Sequence, residues 1–223
     1  MVKKNTNTAL LIFVRSLKEE SERKNLVSNP IANRQLFQFL NKNIESTAIK
    51  SGLPYFIIET QVGTTFGERL GAAIKEVFEK GYENVITIGN DCPELTESVL
   101  QASAEILRDS SSIIGPDQHN GAYLIGLSKD RFDYDKFIQI RWQSKMTVED
   151  LKSYFSKYQL LPQAADINDA IDLFKYLKFA PKTFRKAIYF ISKTIAFTSN
   201  NHTGLILGQQ TSAPPILRGP PRA

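Results

Sequence analysis

The sequence has little with which to cross-link itself or hold a soft metal. One cysteine, Cys92, and two histidines, His119 and His202, occur in 223 residues. That excludes a disulfide framework and four-ligand zinc sites of the usual spacings. A cysteine–histidine nucleophile would have to use that one thiol, and a lone cysteine is more often a small buried hydrophobe. Long apolar runs are also missing. The stretch Ala9 to Val14 is far short of the roughly 20 residues a membrane span needs. It follows Lys3 and Lys4 without a small-residue cleavage pattern, so no secretory signal is expected and a cytoplasmic location is. Neither G-x-G-x-x-G after the first strand nor G-x-x-x-x-G-K-[ST] is present, which argues against a dinucleotide oxidoreductase or a P-loop NTPase.

The most informative absence is of acidic residues at one end. From Leu173 to Ala223 there are eight Lys or Arg and no Asp or Glu, whereas 20 basic face 23 acidic residues up to Asp172. The net charge of +5 therefore belongs to the tail, and the two parts face different partners. Otherwise the chain is ordinary globular material, 42% hydrophobic and 23% charged. Its length suits one large domain, or one domain with an appended segment.

Short β-branched or aromatic runs alternate with segments of helical period, the pattern of an α/β sheet with crossover helices. Strands are expected at Ala9–Arg15, Pro54–Glu59, Asn84–Gly89, Ser111–Gly115, Ala122–Leu127 and Gln159–Ala164. Helices are expected at 30–50, 66–80, 96–108, 145–157 and 168–177. Phe66, Leu70, Ala73, Ile74, Val77 and Phe78 mark the clearest of them, with Gly81 placed to end it. Sheets of this kind bind ligands beyond the carboxyl ends of their strands. Three such turns carry carboxylates: Asp91, Asp117, and Asp166 with Asp169. In the turn Asn90-Asp91-Cys92-Pro93, Asp91 can hold Mg²⁺ or Mn²⁺ against substrate phosphates, or merely hydrogen-bond the turn. Arg15, closing the first strand, can reach a nucleotide or stand as a surface cation.

The ordered blocks TFGERLGAAIKEVFEKGYENVITIGNDCPELT and IIGPDQHNGAYLIGL, within Phe66 to Leu127, resemble the bacterial DUF2064 proteins. The resemblance extends more weakly from Ala9 to about Leu173. These are glycosyltransferase-A-like nucleotide-diphospho-sugar transferases, some linked to arsenosugar biosynthesis. Their fold is similar to that of the molybdenum-cofactor and 2-phospholactate nucleotidyltransferases. The resemblance implies a Rossmann-like glycosyltransferase-A fold, a mostly parallel sheet flanked by helices. It makes Asp91 the carboxylate that faces metal and diphosphate, and implies a divalent cofactor, Mg²⁺ or Mn²⁺. Gly67, Glu68 and Arg69 match the family's turn into a helix, and Trp142-Gln143-Ser144 falls where relatives have W-(S/Q)-T. Asp166-Ile167-Asn168-Asp169-Ala170-Ile171-Asp172-Leu173 is similar to the closing D-(I/V)-D-T-x-x-D-L. Asp117, Asp166 and Asp169 are thereby candidates for acceptor activation or a second metal contact.

The departures are specific. Where the family's first loop reads P-x-P-G-x-x-K-T-R-L, Leu17 to Leu26 has no glycine and only Arg23 and Lys24 to offer phosphates, and a loop without glycine cannot bring its backbone as close to one. The family's D-G-G is His119-Asn120-Gly121, and Asn168 replaces another aspartate. Together with Asn90, Asp91 and Arg15, Arg23 and Lys24 complete the expected nucleotide contacts.

In the tail, a helix over Pro181–Phe197 puts Phe184, Ile188, Ile191 and Ile195 on one stripe, with Lys182, Lys186 and Lys193 opposite. That stripe suits docking on the body or on a second subunit. The lysines, with Tyr189, Phe190 and Phe197 among them, suit an anionic membrane surface. Pro214 to Pro221 cannot continue a helix and is expected to be an extended arm. No nucleic-acid reading motif is present.

The expected organisation is a glycosyltransferase-A-like domain over 1–178 and a basic helix with a proline-rich tail over 179–223. The expected function is metal-dependent transfer from a nucleotide-diphospho-sugar to a small or lipid-linked acceptor. The alternatives are a nucleotidyltransferase that releases pyrophosphate from an NTP, and a non-catalytic member that binds or assembles.

Overall fold

The computed structural model describes residues 7–109 and 111–199, with side chains as far as Lys193. The expected proline-rich arm lies outside the described residues. Six strands form one sheet: β1 (Thr8–Phe13), β2 (Tyr55–Ile58), β3 (Asn84–Ile88), β4 (Ser112–Pro116), β5 (Ala122–Ser128) and β6 (Tyr158–Leu160). Their order is β2-β1-β3-β5-β4-β6. All pairings are parallel except those of β5, which runs against both β3 and β4. The described residues also form eight helices: α1 (Leu17–Arg23), α2 (Pro30–Ser51), α3 (Phe66–Glu79), α4 (Glu97–Arg108), α5 (Tyr134–Ile138), α6 (Thr147–Tyr154), α7 (Ala170–Leu177) and α8 (Lys182–Ser199).

The central strands are buried on both faces, so β1 reads as an unbroken apolar run rather than an alternation. Leu11, Ile114 and Ile125 pack with Ile74 and Val77 of α3 and with Phe137 of α5 on one side. Leu10, Ile12, Ile86 and Ile113 pack with Ile44 of α2 and Leu100 of α4 on the other. A third cluster joins Leu36, Phe37 and Leu40 of α2 to Leu173 and Tyr176 of α7 and to Phe184 and Ile188 of α8. Of the apolar stripe of α8, Phe184, Ile188 and Ile191 are thus spent on this cluster and Lys182, Lys186 and Lys193 are exposed, whereas the side chains of Ile195 and Phe197 lie outside those described.

The expected strands and helices lie within a few residues of those found, but two helices escaped the pattern. The stretch Leu17 to Leu26, expected as a loop, is helical over residues 17–23, helix α1. Ser16 and Glu19 form a reciprocal capping box, each side chain accepting from the other's backbone N–H. Helix α5 is only five residues long, too short to show a period.

Segment 21–27 is pinned by one buried side chain of α2. The Asn33 amide donates to the carbonyls of Ser21 (2.8 Å) and Lys24 (2.7 Å), and its oxygen accepts from Leu26 N (2.9 Å). Asn33→Ala would strand three backbone groups at a buried position. An unsatisfied buried group costs about 1–3 kcal/mol, so this variant should lose about 3 kcal/mol. Thermal denaturation should show Tm falling by about 6–12 °C for a chain of this size; a fall under about 2 °C would contradict the pinning role.

Candidate active site

The carboxyl ends of β1, β3 and β4 and the amino end of reversed β5 open on the same edge of the sheet. A cleft of about 640 Å³ lies there. Its polar lining includes Arg15, Lys24, Asp91, Asp117, His119 and Asp166, and its apolar lining includes Phe13, Phe66, Leu70, Ile125 and Trp142.

Asp91 follows β3, and Asp166 is brought beside it by backbone bonds. After β6 the chain keeps a parallel course along β4: Leu161 N donates to Ile114 O (2.9 Å), Ala164 N to Pro116 O (3.2 Å) and Ile167 N to Asp91 O (2.8 Å). Glu94 clamps the same segment, its Oε2 accepting from Ala165 N at 2.8 Å. Residues distant in sequence thus become adjacent carboxylates.

Lys24, held out by Asn33 and the end of α1, donates from Nζ to Asp91 Oδ2 at 2.8 Å and lies 3.5 Å from Glu20 Oε1. Glu20 is buried, and its other oxygen lies 3.4 Å from Arg15 Nη1. Burial works against the Lys24 charge, but Asp91 outweighs it and holds the ammonium above its usual range. Burial also opposes the Asp91 charge, yet Lys24 beside it keeps that carboxyl below the usual range. Asp166 goes the other way: burial, then the Asp91 charge, push its carboxyl well above the ordinary value, while its Oδ2 accepts from Asn168 Nδ2 at 2.8 Å.

Two oxygens of cleft-lining residues, Asp166 Oδ1 and Thr87 Oγ1, are buried and have no hydrogen-bond partner among the described residues, which is uncommon for buried polar atoms. Among the described residues, six carboxylates line the cleft against three Lys or Arg.

The donor chemistry fits Mg²⁺ or Mn²⁺. The carboxylate oxygens of Asp91 and Asp166, both lining the cleft, are hard donors. No group of three or more His, Cys, Asp or Glu among the described residues is arranged to hold an ion. Protein ligation by one or two carboxylates, with substrate phosphates completing the shell, is how Mg²⁺ is usually held.

The other expected residues are placed less simply. Asp117 Oδ1 accepts from His119 N (2.6 Å) and Gly121 N (2.8 Å), forming the turn into β5. A Cβ on Gly121 would collide with Asp117 Oδ2, so the turn requires glycine. Asp169 lines the cleft but caps α7, accepting from Ile171 N and Asp172 N. Asn90 lines it too, and its amide donates to Asn41 Oδ1 at 2.6 Å. Arg23 is exposed at the end of α1 and does not line the cleft; helix formation turns it away from Lys24's side.

Sequence reasoning missed Glu20 and a second pair. His119 Nε2 lies 3.2 Å from Oδ1 of buried Asp172, while Asp172 Oδ2 accepts from Asn168 N at 3.2 Å. The signal available was the capping box for Glu20 and the position of Asp172 one turn into α7. Trp142 is locked by its indole N–H to Phe137 O (3.0 Å) and packs where only Gly67 leaves room.

Because the Asp166 pKa is raised, its protonated form stabilises the fold below the unfolded value of about 4, and that contribution is lost as pH rises through the folded value. Asp166→Asn keeps a donor toward Asp91 without the charge. We expect its Tm to exceed that of the wild type at pH 7–8 and to converge with it near pH 4. A lower Tm at neutral pH would refute the reading of the pair.

The family model described as "uncharacterized protein conserved in bacteria (DUF2064)" matches residues 22–144, more than half of the chain. No protein of curated function matches. Among solved structures, one provisionally designated a nucleotide-diphospho-sugar transferase, from Desulfovibrio desulfuricans G20, has a TM-score of 0.72 at 22% identity. The alignment covers 87% of this chain and 98% of that one. Rv0371c from Mycobacterium tuberculosis H37Rv, in complex with manganese, has a TM-score of 0.45 at 10% identity, covering 78% and 99%. A cytidylyltransferase from Leptospira borgpetersenii has 0.42 at 14%, covering 91% and 100%. The first similarity shows the fold, a mostly parallel α/β architecture; the other two are more distant. By its sequence match and its fold, the chain belongs to the DUF2064 family of bacterial proteins.

Proposed function

We propose that the chain is a cytoplasmic, divalent-metal-dependent transferase that takes its glycosyl group from a nucleotide-diphospho-sugar. The observation that carries this reading is the acidic cleft itself, with the carboxylates of Asp91 and Asp166 brought side by side at the sheet edge. A cleft with more carboxylates than cations repels a diphosphate unless a cation comes with it. Asp91 and Asp166 would hold that ion, which when bound neutralises the diphosphate leaving group.

The remaining roles follow from position. Lys24 and Arg15 stand at the same end, each balanced by Glu20, and offer donors to phosphate oxygens. Trp142 and Phe66, tilted rings 5.6 Å apart, give the cleft a rigid apolar wall for a planar base. In the transfer, an acceptor hydroxyl oxygen bonds to the anomeric carbon, the bond from that carbon to the diphosphate breaks, and the hydroxyl proton goes to a base. Asp117 and Asp169 have oxygens committed to a turn and a cap. His119, oriented by Asp172 through one ring nitrogen, has the other available for that proton. Its place in the cleft supports the assignment.

The test is a thermal-shift screen of UDP-, GDP-, CDP- and dTDP-sugars and the matching NTPs, with and without Mn²⁺ or Mg²⁺. A ligand at 100 times its Kd stabilises by about 2.7 kcal/mol. We expect a sugar-nucleotide shift that requires metal and vanishes in Asp91→Ala. Shifts that persist in Asp91→Ala, or pyrophosphate released from an NTP, would overturn the assignment. With the donor in hand, His119→Ala should lower kcat by about 10²–10⁴-fold and leave donor affinity unchanged; unchanged turnover would remove His119 from the chemistry.

A further inference from the structure

The outward face of α7 and α8 is unusual for a soluble surface. Ile171 (62%), Phe174 (64%), Phe179 (62%) and Tyr189 (52%) are exposed there, in a stretch that also presents Lys175, Lys178, Lys182, Arg185, Lys186 and Lys193. No acidic residue follows Asp172. The aromatics and cations are interleaved rather than segregated. Lys178 Nζ lies 5.0 Å from the Phe174 ring centre and Lys193 Nζ 5.1 Å from that of Tyr189, while Phe190 meets Tyr189 edge to face.

This face is not left over from core packing. The apolar stripe of α8, Phe184 and Ile188, is already buried against α2 and α7, so the exposed rings form a second, separate apolar set. No described helix is long and apolar enough to cross a membrane. Cations that attract anionic headgroups, set among aromatic rings that sit at headgroup depth, are the two elements of peripheral attachment.

We propose that the α7–α8 face docks on an anionic lipid surface. Charge complementarity selects this occupant: a patch with six cations and no carboxylate of its own on the segment 173–193 repels a second copy of itself. The position has a consequence for the cleft. Asp169 and Asp172 line the cleft from the first turn of α7, and Ile171 and Phe174 stand on the outer side of that same turn and the next. Docking through this face brings the cleft wall to the headgroup layer, where a lipid-linked acceptor would present its hydroxyl. That last step rests on the transferase reading, whereas the docking does not.

The test is flotation of the full chain with vesicles of phosphatidylcholine alone or with about one-third phosphatidylglycerol. It needs neither metal nor sugar nucleotide, so its failure is distinguishable from failure of the transferase assignment. We expect binding only to the anionic vesicles, weakening steeply with salt. At about fivefold per basic residue, Lys182→Glu/Lys186→Glu/Lys193→Glu should weaken partitioning on the order of a hundredfold. Phe174→Ser/Tyr189→Ser should weaken it with the charge intact, and circular dichroism should show both variants folded. Binding to neither vesicle, equal binding to both, or anionic binding untouched by either variant would overturn the proposal. So would a dimer in light scattering that both variants dissolve, or capture of single-stranded RNA without vesicle binding.

Discussion

Two carboxylates forced together beneath one lysine are the constraint on which the cleft depends. Left to themselves, Asp91 and Asp166 would separate; held together, burial and the Asp91 charge raise the Asp166 carboxyl well above its ordinary range. What keeps them together is backbone: the parallel course of 161–167 beside β4 and the bond from Ile167 N to Asp91 O. What tolerates them is Lys24, whose position depends in turn on Asn33 and the end of α1. Helices α1 and α2, strands β3 and β4 and the segment after β6 therefore converge on one electrostatic arrangement.

The sheet was largely legible because its strands are buried on both faces, and runs such as Leu10-Leu11-Ile12-Phe13 and Val85-Ile86-Thr87-Ile88 have no polar interruption longer than one residue. Helix α3 was legible through its period and α1 was not, since it offers one apolar residue, Leu17, and depends on capping instead. At the site, Asp91 could be singled out because a carboxylate at a strand's end is a local feature. The pairing of Asp91 with Asp166, the burial of Glu20 and the His119–Asp172 contact are products of tertiary stitching. Arg23 illustrates the converse: adjacent to Lys24 in sequence, it is separated from it by the exit from α1.

The charge asymmetry of the chain also acquires a spatial meaning. Carboxylates concentrate at the sheet edge, where a cation and an anionic substrate would be received together. The basic residues concentrate on the outward side of α7 and α8, whose inward side completes the third apolar cluster. Helix α7 belongs to both, capped by Asp169 in the cleft and exposing Phe174 on its other side. One short helix thus links the wall of the cleft to the surface patch.

The most direct measurement is calorimetric titration of the best-shifting nucleotide-diphospho-sugar into the protein, with Mn²⁺ and with EDTA, in two buffers of different ionisation enthalpy. Metal-assisted binding predicts affinity at least a hundredfold higher with Mn²⁺, accompanied by proton release as the raised Asp166 carboxyl ionises. Equal affinity in EDTA, with no proton released, would contradict the assignment of the carboxylate pair as the cation's seat.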